Sequence, residues 1–296
     1  MNEDDLAKSG WKCVYEDTAP GQEARLWMLY DKKNMKGYYQ AQTVISAEIT
    51  DCIMAYNELD LFKEWNGTVV QGPCDFGPRT ASYMQAYSVL GIGPGIMQKR
   101  FVTVYKYQRF IDKNRGWVNE NLHSLPDGFD TAGFPTGHKI KGQILDSSIS
   151  NLWFPTVDHH GKDATLVIQY GAVDLPFKIP DWLFSFIGSA VAPGLLKDFK
   201  KASSSAATHP EFRKKRQADV SGLYHRVDET MLVGKENLGM YSYDGQSRLT
   251  PQNLPTAKVF RRAHDMRKLI NPDMPEVFDW HHDDESDHEL YDHEHA

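Results

Sequence analysis

Between residues 80 and 173, short runs of aromatic and β-branched residues follow one another with no helical pattern between them, and this order limits the possible folds most strongly. Such runs predict strands at residues 80–89, 101–110, 117–124, 139–146, 148–154 and 164–173. Glycine and proline clusters separate them. Short connections favour an antiparallel meander, whereas a doubly wound nucleotide-binding fold needs a helix after each strand. The sequence therefore argues against the doubly wound class.

The segment before this meander combines three further strands with a helix. Residues 11–15, 24–30 and 38–45 are short, rich in aromatic or β-branched residues, and separated by turn formers. From residue 47 to residue 65 the apolar residues recur at helical spacing, which predicts one helix or two short ones. The chain is thus expected to belong to the α+β class.

A long amphipathic helix is predicted after the meander, at residues 180–201. Its apolar positions give it a wide hydrophobic face, because they recur at the i, i+1, i+4, i+5 spacing. Pro180 suits the first turn of a helix, where its missing N–H is no loss. Pro193 lies inside the pattern and predicts a kink or a break. The same stretch is too interrupted by proline and aspartate to predict a membrane span.

The charge distribution separates an acidic tail from a near-neutral body. Residues 279–296 carry eight acidic residues and no Lys or Arg, and without them the formal net charge changes from −7 to +1. A near-neutral body lacks the basic surface of a nucleic-acid-binding protein. The tail also contains five histidines, but their irregular spacing predicts no metal geometry, so we expect a disordered tail and no cofactor.

We divide the chain into a folded domain at residues 1–202 and a C-terminal extension at residues 203–296. Residues 203–207 have the composition of a linker, and residues 213–216 form a basic run. That run suits a solvated surface, an anionic membrane or a nuclear localisation signal. A short helix is predicted at residues 257–270, and the remainder of the extension is expected to be irregular.

Three motifs in order give the chain a recognisable signature. Glu64-Trp65-Asn66 ends the first helical region, Gly93-Pro94 precedes the strand that begins Arg100-Phe101-Val102, and Ile179-Pro180-Asp181-Trp182 opens the long helix. Together they resemble the StAR-related lipid-transfer (START) domains over roughly residues 6–202. The resemblance implies a helix-grip fold, in which a curved antiparallel sheet wraps around a long C-terminal amphipathic helix.

The resemblance also implies function: members of the family hold one phospholipid, sterol or ceramide in an internal tunnel, for intermembrane transfer or lipid sensing. Each methylene kept out of water is worth about 0.8 kcal/mol, so an apolar tunnel can replace the bilayer as solvent. Some relatives place an acid and an arginine in the tunnel. The equivalent positions here are Gln85 and Tyr105, which suggests a neutral polar contact. The expected lipid-binding residues are Tyr83, Gln85, Tyr87, Val104, Tyr105, Trp153, Trp182, Phe186 and Val191.

The closing helix would also have to admit the lipid. Gly188, Pro193 and Gly194 are the expected gate, because such residues can absorb a change of backbone conformation. Lys197, Lys200 and Lys201 are expected to contact anionic headgroups during transient membrane association.

Two alternatives stay open beside the lipid carrier. Related helix-grip folds include hydrolases and cyclases that act on hydrophobic substrates in the same cavity, and His123, His138 and Asp146 lie on or beside predicted strands. The other alternative is an adaptor that works through its C-terminal third. Three widely spaced cysteines and an acidic start without a secretory signal predict a cytoplasmic protein. We also expect it to be a monomer that associates with membranes only transiently.

Overall fold

The computed structural model describes residues 10–76, 79–92, 99–112, 116–125, 143–175 and 178–236. The predicted helix at 257–270, the acidic tail, His138 and the Gly93-Pro94 motif lie outside these residues. So does the first half of the predicted strand at 139–146.

Ten strands in the described part of the chain form one curved sheet. Their order is β1-β2-β3-β10-β9-β7-β6-β5-β4, each neighbouring pair is antiparallel, and the short β8 pairs with β6 in parallel. The strands are β1 (Lys12–Asp17), β2 (Ala24–Asp31), β3 (Lys36–Ile45), β4 (Val69–Phe76), β5 (Tyr83–Ile92), β6 (Lys99–Asp112), β7 (Trp117–Ser124), β8 (Gln143–Ile144), β9 (Asp146–Val157) and β10 (Asp163–Asp174). The expected antiparallel arrangement is confirmed.

One strand, β4, was not expected from the sequence. It contains Gly72 and Pro73, both unfavourable inside a strand, and its pairing with β5 shifts register twice. The structure places β4 at the edge of the sheet, where one side of the strand needs no partner and proline is tolerated.

The first helical region is two helices, α1 (Ile49–Asn57) and α2 (Leu59–Trp65), as the spacing allowed. Ile49, Ile53 and Met54 of α1 are fully buried, because α1 lies between the sheet and later helices. Trp65 donates its indole N–H to the carbonyl of Ala55 at 3.1 Å, which joins the end of α2 to α1.

The long closing helix has three parts: α3 (Asp181–Phe186), a π-helical turn (Ile187–Val191) and α4 (Ala192–Ala206). Pro193 has no N–H to donate to the preceding turn, and the widened π turn directly precedes it. The predicted interruption at Pro193 therefore takes the form of a π turn.

The predicted linker at residues 203–207 is wrong. Residues 203–206 complete α4, where Ser203 and Ala206 are fully buried against α1 and the sheet. The serine-rich composition resembles a linker, but small side chains also allow close packing of helices. The predicted domain boundary at residue 202 therefore falls inside α4.

Two more helices follow, α5 (Pro210–Ala218) and α6 (Leu223–Glu236), so the beginning of the extension is regular instead of irregular. Phe212 of α5 and Leu223, Val227 and Met231 of α6 are buried in the same hydrophobic cluster as α1. None of the described helices combines the length and the hydropathy that crossing a bilayer requires.

Candidate functional site

A cavity of about 1080 Å³ lies between the concave face of the sheet and the closing helix. Its volume is at the upper end of the range of about 300–1,000 Å³ that is typical of small-molecule sites. Side chains of α3, the π turn and α4 form one wall, with Leu183, Phe184, Ile187, Leu195 and Leu196.

The sheet supplies the opposite wall, mostly from alternate residues of its strands. On β6 the lining residues are Phe101, Thr103, Tyr105 and Tyr107, and on β3 they include Tyr39, Ala41 and Thr43. Alternate residues of a strand point to one face, which explains this spacing, although Tyr38 of β3 and Tyr87 of β5 also line the cavity.

Aromatic rings of α1, α2 and α4 pack beneath one part of the cavity. Phe199 of α4 has its ring centroid 5.9 Å from Tyr56, 6.1 Å from Trp153 and 5.4 Å from Trp65. All four residues also line the cavity. Trp65 of the Glu64-Trp65-Asn66 motif therefore forms part of an aromatic wall of the cavity.

Polar lining groups are concentrated around Tyr56. Gln169 donates its amide N–H to Oδ1 of Asn151 at 2.6 Å, and both amides are hydrogen-bond partners of the Tyr56 hydroxyl. Tyr105 Oη lies 2.7 Å from Ser147 Oγ. Burial raises the pKa of Tyr56, and it raises that of Tyr105 to about 12, so both phenols are neutral.

Four of the predicted site residues lie at the cavity: Tyr87, Tyr105, Trp153 and Pro193. Trp153 is almost fully buried and its indole N–H has no partner in the described part of the chain. For Trp182 the structure describes the backbone, in α3, and not the side chain.

Three predicted strand residues are corrected. Tyr83, Gln85 and Val104 do not line the cavity. The amide of Gln85 donates to the Tyr83 hydroxyl, and Val104 packs with Val102. Val104 lies between the lining residues Thr103 and Tyr105, and Gln85 precedes the lining residue Ala86, so a shift of one residue separates both from the cavity, whereas neither neighbour of Tyr83 lines it.

Phe186 and Val191 are also corrected, since neither lines the cavity. Phe186 is 40% exposed. After Ile187 the next residue of the helix that lines the cavity is Ala192, five positions later, because the π turn has i→i+5 hydrogen bonding. An α-helical period carried through this turn assigns the wrong face.

The three predicted gate residues have different surroundings. A Cβ on Gly188 would lie 2.8 Å from Met28 Sδ and 2.9 Å from Val14 Cγ2, so this glycine permits close packing against β1 and β2. A Cβ on Gly194 would meet no described atom within 4 Å. Pro193 lines the cavity, directly after the π turn.

The three lysines that were predicted to contact the membrane also differ in their burial. Lys197 and Lys201 are exposed. Lys200 is half-buried and donates from Nζ to the carbonyl of Glu23 at 3.1 Å, and burial lowers its pKa to about 8. Lys200 is therefore corrected from a headgroup contact to a residue that joins α4 to the β1–β2 turn.

Sequence reasoning missed Tyr39, Tyr107 and Gln169 as lining residues. Tyr107 lies two residues after Tyr105 on the same strand, so the period of two could have identified it. Of the residues weighed for an enzyme, His123 and Asp146 are described, and neither lines the cavity.

No protein-family model matches the sequence, and no curated protein matches it significantly. Among solved structures, human STARD10 matches with a TM-score of 0.53 and 15% identity, covering 76% of this chain and 87% of that chain. A STAR-related lipid transfer protein from Xanthomonas axonopodis has a TM-score of 0.48 and 15% identity, covering 66% and 99%. The lipid transfer and protein localization domain of human StarD13 has a TM-score of 0.48 and 13% identity, covering 68% and 97%.

Proposed function

The chain has the START helix-grip fold, and from this premise we propose that it binds one lipid molecule in the cavity, for transfer between membranes or for sensing. The observation that carries the proposal is the unfilled volume of about 1080 Å³ under an apolar lid. A closed core of this size would be filled by side chains, because protein interiors are packed like organic crystals.

Lipid bound to the protein tests the proposal directly. The full chain is purified from cells and extracted with organic solvent, and the extract is analysed by mass spectrometry. We expect one lipid per protein molecule. A protein that carries none, and takes none from vesicles, would overturn the proposal.

A cavity-filling variant separates the cavity from surface adsorption. Ala41 of β3 lines the cavity, so Ala41→Trp should lower lipid content by at least about tenfold, as an indole there occupies the space of several methylenes. Gln42→Trp is the matched control, because its side chain lies on the opposite face of β3. Equal lipid content in the two variants would contradict a lipid held inside.

We further propose that α3 and the π turn act as the lid. Leu183, Phe184 and Ile187 face the cavity from this segment, and Pro193 marks its end. Lifting it would uncover the apolar lining without breaking the sheet, and a π turn is a frequent site of functional bending.

Membrane contact through the outer side of the same segment completes the proposal. Phe186, Ala190, Lys197 and Lys201 are exposed, at spacings that place them on one side of the helix. A lysine near an anionic surface contributes about 1 kcal/mol. Replacing both Lys197 and Lys201 by Glu should therefore weaken binding to phosphatidylserine vesicles in a flotation assay, and unchanged binding would argue against this surface.

A further inference from the structure

Four tyrosines surround one part of the cavity and converge from different elements: Tyr39 of β3, Tyr56 of α1, and Tyr105 and Tyr107 of β6. The ring centroids of Tyr105 and Tyr107 lie 6.3 Å apart, and both Tyr56 and Tyr105 are near enough to Tyr39 and to Tyr107 to raise their pKa values. The four phenols therefore form one cluster, here called the tyrosine cluster.

Two of the four hydroxyls already have hydrogen-bond partners within the protein. Tyr105 is bonded to Ser147, and Tyr56 to the amides of Asn151 and Gln169. The hydroxyls of Tyr39 and Tyr107 make no hydrogen bond to another described residue, and since both rings line the cavity, both hydroxyls are available to a bound ligand. A bound ligand that pairs with them gains hydrogen bonds inside an apolar cavity, which raises its affinity.

The ring of Tyr39 is held in place by a glycine. Tyr39 and Gly171 are directly paired on β3 and β10, and a Cβ on Gly171 would lie 2.0 Å from the Tyr39 ring. The ring can therefore lie across the sheet only because residue 171 has no side chain. This contact orients the hydroxyl at the cavity.

The tyrosine cluster carries no net charge. Burial raises the pKa of Tyr39 and of Tyr107, which keeps both neutral. Behind Tyr107, Arg109 lies 5.6 Å from the ring centroid, but it does not line the cavity and its Nε donates to Glu120 at 2.6 Å. Among the described lining residues, only Lys178 carries a charge, and it is exposed beside the start of α3.

We infer that the lipid has an uncharged, hydrogen-bonding polar group, a hydroxyl or an amide, which pairs with Tyr39 and Tyr107. This inference rests on the proposed function and narrows its ligand class to neutral lipids such as ceramide or diacylglycerol. A phosphate at the tyrosine cluster would lose its hydration without meeting an available cation, at a cost of several kcal/mol. The hydrocarbon part would lie against the apolar wall of α3 and α4.

Competition between lipids tests the inference. The full chain is incubated with vesicles that contain ceramide, diacylglycerol, phosphatidylcholine and phosphatidylserine in equal amounts, re-isolated, and analysed by mass spectrometry. We expect the two neutral lipids to be enriched at least about tenfold over both phospholipids. Equal or preferential uptake of a phospholipid would overturn the inference and leave the proposed function standing. Uptake of no lipid would overturn both.

A single hydroxyl deletion tests the placement of the polar group. Tyr107→Phe should reduce ceramide uptake by about three- to tenfold, the effect of one lost hydrogen bond. Uptake of a pyrene-labelled alkane, which has no polar group, should not change. Tyr170→Phe is the matched control, since this buried tyrosine follows Gln169 on β10 and does not line the cavity. Equal losses for ceramide and alkane, or equal effects of the two variants, would overturn the placement.

Discussion

At the scale of single residues, two glycines in the closing helix have opposite roles. Gly188 lies where a side chain would collide with Val14 and Met28, whereas Gly194 faces open space. A glycine has the same conformational freedom at either position of the unfolded chain. The difference in stability between substitutions at the two positions therefore reflects how tightly each position is packed in the fold.

Replacing each glycine by alanine should therefore change stability in opposite directions. Gly188→Ala overpacks the contact with β1 and β2, and we expect a loss of about 1–3 kcal/mol in the free energy of unfolding. Gly194→Ala should gain up to about 1 kcal/mol, because alanine is the better helix former. Urea denaturation of the two variants measures both values, and a stabilised Gly188→Ala variant would contradict the close packing.

Asp51 gives the stability of the protein a pH dependence. Burial raises its pKa from 3.8 to about 6, although Arg216 lies 3.3 Å away and acts in the opposite direction. The folded state therefore binds the proton more tightly than the unfolded state. The resulting stabilisation is fully present below about pH 4 and is lost as the pH rises through 6.

Asp51→Asn should remove this dependence, because the amide stays neutral. Relative to the unchanged protein, the variant should become more stable by about 1–3 kcal/mol as the pH rises from 4 to 7. Urea denaturation of both proteins at each pH gives the difference. A difference that stays constant, or falls with pH, would show that Asp51 is ionised in the fold at about pH 5.

At the scale of elements, α5 and α6 are joined to the body by a buried acid. Glu58, between α1 and α2, pairs with Arg79 at 2.6 Å and with Lys215 of α5 at 3.0 Å, and it accepts the hydroxyl of Tyr224 of α6. Lys215 and Arg216 of the basic run thus make intramolecular ion pairs, while Arg213 and Lys214 are exposed. Half of this run is occupied in holding the helices.

The packing of α6 should be as important to stability as that of α1. Leu223→Ala removes a fully buried side chain and should cost about 2–5 kcal/mol. Leu232→Ala, on the same helix, removes a side chain that is 67% exposed and should change the free energy of unfolding by less than about 0.5 kcal/mol. Thermal and urea unfolding measure the pair, and similar small effects would mean that α6 is not part of the cooperative fold.

At the scale of the whole molecule, the proposed lid packs closely on the sheet at Gly188. The position of a Cβ on Gly188 lies 3.0 Å from Cβ of Val14, so the helix has to move outward by only about 0.5 Å to reach the separation of about 3.5–4.5 Å found in disulfides. Cysteines at residues 14 and 188 should therefore close the lid covalently, in a background where Cys13 is replaced by serine.

The cross-linked protein should exchange lipid with vesicles at least about tenfold more slowly than its reduced form. Adding dithiothreitol should restore the rate of the same sample, which controls for damage by the substitutions. The variant with a cysteine only at residue 14 should respond to neither oxidation nor reduction. Undiminished exchange by the cross-linked protein would show that lipid enters elsewhere.

Local pattern was sufficient to predict most of the elements. Strand segments such as 117–124 follow from β-branched and aromatic runs between turns, and the helices at 47–65 and 180–201 follow from apolar spacing. These signals are local, since each depends on residues within one or two turns. The same local signals missed β4, because its Gly-Pro pair is acceptable only at a sheet edge, which is a property of the assembled sheet.

The cavity lining shows the limit of the sequence most clearly. The two-residue period of a strand indicates that Val104 and Tyr105 face opposite sides of the sheet. It does not indicate which side is concave, and the prediction placed both residues in the cavity. Period 3.6 identifies an apolar face on the closing helix, but the π turn before Pro193 moves that face by one residue.

The sequence by itself therefore determined the α+β class, the order of the elements and the presence of an apolar closing helix, because each of these is encoded in the spacing of neighbouring residues. Only the tertiary structure decided that residues 203–236 pack on the body, that Lys200 turns inward, and that Tyr39, Tyr56 and Tyr107 meet in one cluster. These contacts join residues far apart in the chain, and their free energy depends on which surfaces the folded chain brings together and withdraws from water.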